Sequence, residues 1–327
     1  MVRALAGCAV AVAAACATTP PPQAPRGDDD LPIVLAHGLA GFRSVSTVDY
    51  FYRVPAALRA DGRRVFVTTV PPWGSVPVRA EHLARQLDMI LRRTHAPRLH
   101  VIAHSMGGLD ARYAISKLGF GGRIASLTTV GTPHRGTVVA DGYGALNFGP
   151  THFIQDFGAD VWSRTVNGIE KGSDTQGLAK DLSARFAAVF NAEVRDDPRV
   201  RYYSFAGRTL GASGTGICDE AEWPNPDETD IAPPALVTTA VLLSGLDPRD
   251  PIPNDGLVQV RSARWGIFMG CLPADHMKEV GHPVLIASFP GRWHHVDFYR
   301  RWAGELVTGK ARTYGAHGSW SDTPASR

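Results

Sequence analysis

A serine flanked by small residues stands between a strand-forming segment and a helix-forming segment. Residues 101–109 read VIAHSMGGL, which places Ser105 at the apex of a sharp strand-to-helix turn. Such a turn exposes the serine hydroxyl, and its small flanking residues, here at positions 103 and 107, let the tightly turned backbone fit. The pattern predicts that Ser105 is a nucleophile that attacks carbonyl carbon and forms a covalent acyl intermediate. Position 103 is Ala rather than the commoner Gly, which is a mild departure.

A second segment has the features of a loop that stabilises an oxyanion. Residues 33–41 read IVLAHGLAG, an apolar strand that enters a glycine-flanked loop about 70 residues before the serine. In serine enzymes with a strand–turn–helix nucleophile, one oxyanion donor is a backbone N–H of such a loop, and the other belongs to the residue after the serine. Leu39 and Met106 are therefore the predicted donors. The position of His37 beside Gly38 favours a packing or loop-orienting role over general-base catalysis.

The nucleophile also needs a neutral imidazole to take its proton and a carboxylate to orient that imidazole. The chain order serine, acid, histidine places both groups after Ser105. Asp255 lies in the turn NDGLV, and His276 lies in a late loop, PADHM. These two residues meet the order requirement and are the predicted acid and base. The rival carboxylates and imidazoles in this half of the chain are Asp247, Asp250, His282, His294 and His295.

Strand and helix signals alternate around these residues. The strand signals cover residues 31–36, 64–70, 99–103 and 124–130, and the helix signals cover residues 48–60, 78–93 and 107–117. This alternation predicts an α/β domain over residues 31–327, with a mostly parallel central sheet and helices on both faces. Residues 138–199 interrupt this alternation of strand and helix signals and are the predicted cap or lid insertion. A further strand is predicted at 200–206 and a closing helix at 293–306.

Length and composition agree with one large folded domain. The chain has 327 residues, of which 44% are hydrophobic and 20% are charged, so a sizeable core is expected and long-range disorder is not. The net charge of +3 is not concentrated in any basic run, so no nucleic-acid partner is expected.

The N-terminus has the pattern of an export signal. Arg3 precedes an uncharged stretch, residues 4–17, that is too short to span a bilayer. Residues 1–15 are the predicted signal peptide and residues 16–30 a proline-rich tether. Cys16 is the predicted lipid-attachment site; the alternatives are a lipobox ending at Cys8 and simple cleavage with release. The protein is therefore expected to be exported, either secreted or anchored to the bacterial cell envelope as a lipoprotein.

Five motifs together resemble the bacterial triacylglycerol lipases of the Pseudomonas and Burkholderia type, which are α/β-hydrolases. They are PIVLAHGLAGF, VIAHSMGGLDARY, LTTVGTPHRGT, NDGLV and ADHMKEV, in the order in which that family has them. The resemblance runs from Pro32 to His282 and is interrupted by the lid region. It implies an α/β-hydrolase fold and the hydrolysis of lipid esters. It also implies the same roles for Ser105, Asp255, His276, Leu39 and Met106.

The resemblance has two further implications. The family has one disulfide, which implies a Cys218–Cys271 bond here, as suits an exported protein. The family also binds a structural calcium ion, one ligand of which is an Asp two residues after the catalytic histidine. Here that position is Lys278, which cannot coordinate calcium. We therefore expect no metal and no other cofactor, and we predict that the Lys278 ammonium pairs with Asp227 or Asp230 instead.

These observations favour a serine hydrolase that cleaves a lipid or small ester substrate, a triacylglycerol lipase or esterase. An acyltransferase or a polyester depolymerase could use the same residues, because only the acceptor or the acyl groove differs. A non-catalytic lipid-binding surface protein is the alternative from another class, and an intact set of catalytic residues disfavours it. Residues 138–169 are predicted to form a mobile lid, the alternative being a helix packed permanently on the core.

Overall fold

A computed structural model describes residues 31–39, 44–45, 48–72, 74–138, 140, 180–209, 218, 236, 240–241, 243–245, 252–281 and 293–314. The predicted signal peptide (1–15), the tether (16–30) with the predicted lipidation site Cys16, and most of the predicted lid (138–169) lie outside the described residues. Within the described ranges, no helix is both long enough and apolar enough to cross a bilayer.

The strands are short and almost all belong to one sheet. They are β1 (Ile33–Ala36), β2 (Ser44–Val45), β3 (Val48–Asp49), β4 (Val65–Val67), β5 (Leu99–His104), β6 (Ile124–Val130), β7 (Arg201–Gly207) and β8 (Ile267–Leu272). Six of them form a sheet in the order β4-β1-β5-β6-β7-β8, and every neighbouring pair is parallel. The central strands β5 and β6 are buried along their whole length, as expected for a parallel sheet covered on both faces.

Helices cover both faces of this sheet. They are α1 (Val54–Ala60), α2 (Val76–Thr94), α3 (Gly107–Lys117), α4 (Ala184–Glu193), α5 (Val260–Ala263) and α6 (His295–Val307), with 3-10 turns at Lys278–Val280 and Lys310–Thr313. One apolar cluster packs α1 and α6 against the sheet through Val54, Leu58, Phe298 and Trp302. A second cluster packs α2 and α3 against it through Leu83, Leu87, Ala111 and Ile115. The predicted α/β architecture is therefore confirmed.

The structure corrects the helix predicted over residues 48–60. Residues 48–49 form β3, residues 50–53 turn, and the helix begins only at Val54. Pro55 explains the difference, because a proline inside a helix removes a backbone hydrogen bond and clashes with the carbonyl four residues earlier. In the first turn, where Pro55 stands, the missing N–H has no consequence. The turn also buries Tyr50, which thereby reaches the candidate site.

Of the predicted cap insertion (138–199), the structure describes residues 138, 140 and 180–199. Its helix α4 begins at Ala184, because Ser183 is the N-cap and accepts a hydrogen bond from the Phe186 N–H at 3.1 Å. The prediction that residues 138–169 move as a lid remains a prediction.

Candidate active site

The candidate nucleophile lies at the carboxyl edge of the sheet, where ligands of open parallel sheets bind. Strand β5 ends at His104 and α3 begins at Gly107, so Ser105 occupies the connecting turn with a left-handed φ of 55°. For a residue other than glycine this conformation costs on the order of 1 to 3 kcal/mol. Two hydrogen bonds hold it: Ser105 N–H donates to Val130 O at 2.9 Å, and Thr132 Oγ1 donates to Ser105 O at 2.8 Å.

Gly107 is needed for a close approach between the turn and β1. A Cβ at this position would lie 2.6 Å from His37 O and 2.8 Å from Ala36 O. The steric limit at position 107 thus comes from the backbone at the end of β1 and just after it. A small residue here lets the nucleophile turn pack directly against the candidate oxyanion loop.

The structure brings Ser105, His276 and Asp255 into one hydrogen-bonded chain. His276 Nε2 lies 3.0 Å from Ser105 Oγ, and His276 Nδ1 lies 2.8 Å from Asp255 Oδ2. Because a carboxylate only accepts hydrogen bonds, Nδ1 carries the proton and Nε2 is free to accept the serine proton. His276 and Asp255 are buried, whereas Ser105 is half-buried. This is the geometry that general-base activation of a serine requires.

Backbone amides hold the carboxylate of Asp255 in place. Its Oδ1 accepts hydrogen bonds from Leu257 N–H at 2.8 Å and Val258 N–H at 2.7 Å, which leaves Oδ2 for the imidazole. In addition, His276 N–H donates to Asp255 O at 2.9 Å, so the two loops are joined through their backbones as well. The imidazole is thereby oriented by a carboxylate that has little freedom to rotate.

The two rivals that the structure describes, His294 and His295, are not part of this hydrogen-bonded chain of side chains. His294 is exposed, and His295 lies 2.9 Å through its Nε2 from Tyr52 O. Asp247, Asp250 and His282 lie outside the described residues. His37 orients the loop, as its place beside Gly38 predicts: its Nε2 accepts from Val70 N–H at 3.2 Å, so its Nδ1–H donates to Gly38 O at 2.9 Å.

The predicted oxyanion donors Leu39 and Met106 follow β1 and Ser105, so both lie beside the nucleophile turn. Among the described residues, neither backbone N–H donates a hydrogen bond to the protein. Their side chains pack in one apolar cluster with Val76, Leu109 and Phe190. Two amide donors next to a nucleophilic hydroxyl can stabilise an anionic oxygen on a substrate.

A buried ion pair that is absent from the sequence-based predictions supports the loop that follows β1. Arg79 of α2 donates through Nη2 to His37 O at 3.2 Å and to Gly38 O at 3.0 Å, and its Nε donates to Asp110 Oδ2 at 2.9 Å. Burial raises the pKa of the Asp110 carboxyl to about 6, although the nearby Arg79 cation lowers it. The signal was in the sequence, because Arg79 continues the apolar stripe formed by Leu83 and Leu87. A positively charged residue within an apolar helix stripe is expected to be buried and therefore to be paired with a negatively charged group.

The stability of the protein should depend on pH through His37. Burial, reinforced by the Arg79 charge, lowers the pKa of His37 from 6.5 to about 3. Between these values the unfolded chain binds more protons, so stability present above pH 6.5 is lost as the pH falls towards 3. At pH 4.5 this loss is about 3 kcal/mol. His37→Gln keeps an acceptor for Val70 N–H and should flatten the dependence in urea unfolding between about pH 7.5 and 4.5. An equally steep dependence in the variant would contradict this.

Three potential metal ligands meet behind the serine. His104, His276 and Glu279 bring ligand atoms within 4.8 Å of one another, and all three residues are buried. However, His276 Nδ1 is engaged by Asp255 and His104 Nε2 lies 2.9 Å from Glu279 Oε2. Burial, followed by the negative charge of Asp255, raises the pKa of Glu279 well above its usual value. The ring nitrogens of both histidines are therefore already engaged in hydrogen bonds, and no sequence motif identifies Glu279 as their neighbour.

The predicted disulfide is confirmed. Cys218 and Cys271 are bonded, with their Cα atoms 5.5 Å apart and a sequence separation of 53. Cys271 belongs to β8, so the bond ties position 218 to the edge of the main sheet.

Position 278 does not fit the calcium site of the resembling lipases. The Lys278 ammonium is largely buried and lies 3.6 Å from Asp275 Oδ2. A cation in this place repels a divalent ion instead of ligating it. Asp275 is thus a partner of Lys278 among the described residues, whereas the predicted partners Asp227 and Asp230 lie outside them.

Chelation should accordingly leave the protein unchanged. We expect the same thermal unfolding midpoint and the same activity in excess EDTA and in millimolar calcium, because Lys278 already supplies the local positive charge. A ligand that binds only the native state must raise the midpoint. A calcium-dependent rise would show that other oxygen atoms form a site and that this role of Lys278 is wrong.

Comparisons with known proteins agree with this geometry. A family model of the α/β-hydrolase fold matches residues 32–156. The chain is 40% identical over 110 residues to a triacylglycerol lipase of Vibrio cholerae, covering 34% of this chain and 35% of that protein. It is 31% identical over 189 residues to a triacylglycerol lipase of Burkholderia plantarii, covering 56% and 46%. The matched part is thus about a third to a half of the length of these relatives.

A solved structure shows the same fold over most of the chain. The lipase of Staphylococcus hyicus superposes with a TM-score of 0.59 at 18% identity, covering 89% of this chain and 99% of that one. This likeness concerns the fold, which here is a parallel sheet with a serine turn after β5. The chain thus has the α/β-hydrolase fold, and parts of its sequence are similar to bacterial triacylglycerol lipases.

Proposed function

We propose that this protein is a carboxylic ester hydrolase acting on lipid esters, a lipase or esterase with Ser105 as nucleophile, His276 as general base and Asp255 as the orienting acid. The observation that carries the proposal is the continuous chain from Ser105 Oγ through His276 to Asp255, with contacts of 3.0 and 2.8 Å. Such a chain beside two amide donors suits acyl transfer through a covalent intermediate.

In the first half of the proposed reaction, Ser105 Oγ attacks the ester carbonyl carbon while His276 Nε2 takes the hydroxyl proton. The carbonyl oxygen becomes anionic and accepts hydrogen bonds from the N–H groups of Leu39 and Met106. The carbon–oxygen bond to the alcohol then breaks, and His276 returns its proton to the departing alkoxide oxygen. The acyl group remains on Ser105.

In the second half, water replaces the alcohol. His276 Nε2 takes a proton from the water, whose oxygen attacks the acyl carbonyl carbon. The second tetrahedral intermediate uses the same two amide donors. It collapses when the bond to Ser105 Oγ breaks and His276 returns the proton to that oxygen. The products are an alcohol and a carboxylic acid, and the enzyme is regenerated.

The apolar surroundings of the donors support an apolar acyl group. Leu39 lies in a cluster with Met106, and two partly buried side chains from the cap side of the chain, Leu182 and Phe186, pack against the same cluster. Transfer of each methylene group from water to such surroundings contributes about 0.8 kcal/mol. We therefore propose that acyl chains longer than acetyl are preferred.

The test is a series of p-nitrophenyl esters from acetate to palmitate, assayed with and without emulsified triglyceride. The proposal expects hydrolysis that improves beyond acetate and release of fatty acid from the emulsion. Labelling of Ser105 by a fluorophosphonate probe should accompany the activity. No labelling together with no hydrolysis would refute the proposal and favour a lipid-binding protein. Predominant acyl transfer to an added alcohol would favour an acyltransferase.

We further propose that the protein works outside the cytoplasm. The Cys218–Cys271 disulfide supports this location, because disulfides persist in oxidising compartments. Attachment through Cys16 is the finer part of the proposal, since small residues precede that cysteine. Cys16→Ser should move the protein from the membrane fraction to the soluble fraction in the native host. An unchanged distribution would refute lipid anchoring at Cys16.

A further inference from the structure

A buried set of hydrogen bonds joins three separate parts of the candidate site. Gly38 N–H donates to Tyr50 Oη at 3.2 Å, and Tyr50 Oη lies 2.7 Å from His104 Nδ1. At the far side of the same ring, His104 Nε2 lies 3.0 Å from His276 O and 2.9 Å from Glu279 Oε2. Tyr50 is 3% exposed, and both His104 and Glu279 are fully buried. None of these contacts belongs to the chain from Ser105 to Asp255.

The direction of each hydrogen bond follows from its neighbours. The His276 carbonyl oxygen can only accept, which places the proton of the neutral His104 ring on Nε2; Tyr50 Oη, which accepts from the Gly38 N–H, therefore directs its own proton to His104 Nδ1. His104 Nδ1 is then an acceptor, and its Nε2 carries the proton. That proton is directed at two acceptors, the backbone carbonyl of His276 and the carboxyl group of Glu279. Burial raises the pKa of Tyr50 far above its usual value, which agrees with a hydroxyl that keeps its proton.

Each end of this set lies next to a group that the proposed reaction uses. Gly38 directly precedes the donor Leu39, and His104 directly precedes Ser105. The third contact is to the backbone carbonyl of His276 itself. The oxyanion loop, the nucleophile turn and the base loop are therefore each joined to the Tyr50–His104 pair either directly or through an adjacent residue.

The packing around Gly38 leaves little room for adjustment. A Cβ at this position would lie 2.6 Å from Ser105 Cβ and 3.0 Å from Tyr50 Oη. The loop thus rests against both the nucleophile turn and the tyrosine hydroxyl. A displacement of about 1 Å in such a site can lower the rate roughly 100-fold.

The aromatic packing of Tyr50 does not account for its hydroxyl. Its ring packs against Phe51 and His37, contacts that a phenylalanine would also make. What the hydroxyl adds includes the hydrogen bonds to Gly38 and His104. A phenylalanine would fill the same space without burying a polar group. The buried hydroxyl therefore points to a role in positioning its two partners, Gly38 and His104.

We propose that Tyr50 and His104 are positioning residues that hold the Leu39 amide in place relative to Ser105 and His276. They act through the backbone of the oxyanion loop and of the base loop, without contacting the substrate. This inference rests on the proposed ester hydrolysis, because it assigns the Leu39 N–H a role in stabilising the oxyanion of that reaction.

Tyr50→Phe tests the proposal, because it removes one oxygen atom and keeps the ring. We expect kcat for p-nitrophenyl butyrate to fall about 10- to 100-fold. The KM should change less than about threefold, because the oxyanion donors act in the transition state rather than in the bound ester. The affinity for an aliphatic trifluoromethyl ketone, which forms an anionic tetrahedral adduct with the serine, should fall by about the same factor as kcat.

Tyr203→Phe is the matched control. Tyr203 is also buried, and its hydroxyl donates to Ala311 O at 2.7 Å, away from the candidate site. Both variants lose one buried hydroxyl, so both should show a similar fall in thermal unfolding midpoint. Only Tyr50→Phe should lose kcat and ketone affinity. Equal losses of kcat in both variants would refute a positioning role and indicate general destabilisation.

A second variant keeps the test decisive if Tyr50→Phe does not fold. His104→Asn retains a short acceptor in place of Nδ1 but loses the contact that Nε2 makes to His276 O. It should lower kcat and ketone affinity in the same way. Combining it with Tyr50→Phe should cost little more than the worse single change, because residues acting as a unit are not additive. Wild-type kcat and ketone affinity in a folded variant would overturn the inference.

The inference and the proposed function fail in different ways. A wild-type protein that hydrolyses no ester and is not labelled at Ser105 overturns the proposed function, and the inference with it. An active wild-type protein whose Tyr50→Phe and His104→Asn variants are equally active overturns the inference alone.

Discussion

Ser105→Ala should lower kcat for ester hydrolysis by a factor on the order of 10⁴ to 10⁶ while the fold remains intact. The substitution removes the nucleophilic oxygen and its 3.0 Å contact with His276 Nε2. Alanine retains the Cβ and so tolerates the left-handed φ of 55° about as well as serine does. Assays with p-nitrophenyl butyrate, thermal unfolding and fluorophosphonate labelling measure the three expectations directly.

The chain contains a matched control for this experiment. Ser126 of β6 is buried, and its Oγ lies 2.7 Å from His100 Nδ1, so it too forms a serine–histidine hydrogen bond. It lies on a strand, however, and not in the nucleophile turn. Ser126→Ala should therefore keep wild-type activity and labelling. If Ser105→Ala retained activity within tenfold of wild type, the assignment of the nucleophile would be wrong.

His276→Ala should have an effect of similar size on kcat. The variant has no base to take the serine proton, so both acylation and deacylation slow. It also leaves the buried Asp255 carboxylate without its imidazole partner, which costs on the order of 1 to 3 kcal/mol of stability. Activity and urea unfolding should therefore both change, and labelling of Ser105 by a fluorophosphonate should become slow.

His294→Ala is the control for this change, because His294 is exposed and is only the N-cap residue that precedes α6. It should leave kcat and labelling unchanged. The double variant Ser105→Ala/His276→Ala should be no slower than the slower single variant, within a few-fold, because the two residues act as a unit. Multiplicative losses, or an active His276→Ala protein, would show that the base is another group.

Much of the fold could be predicted because its signals are local. The apolar stripe of α2, with Leu83 and Leu87, depends only on residues three or four positions apart. The sequence segments that form β5 and β6 are largely apolar, because both faces of each strand are buried. The helix predicted over residues 48–60 was wrong before Val54. Pro55 can stand only in the first turn of a helix, so the helix starts there whatever the helix preference of the preceding residues.

The sequence by itself determined the nucleophile turn, the two candidate oxyanion donors and the α/β class, since each depends on a short continuous segment. The tertiary structure decided which acid and histidine join the serine. His276 lies 171 residues after Ser105 and 21 residues after Asp255, and chain order alone left rivals for both roles.

The tertiary structure also decided which polar side chains are buried around the site, namely Tyr50, Arg79, His104 and Glu279. Their partners are contributed by the loop after β1, by β5, by α3 and by the segment after β8, so no local pattern identifies these partners. The physical reason is that parallel strands joined by crossovers bring their carboxyl ends to one edge of the sheet whatever their separation in sequence. Local sequence specifies each strand and turn, whereas the order of strands in the sheet specifies which side chains meet.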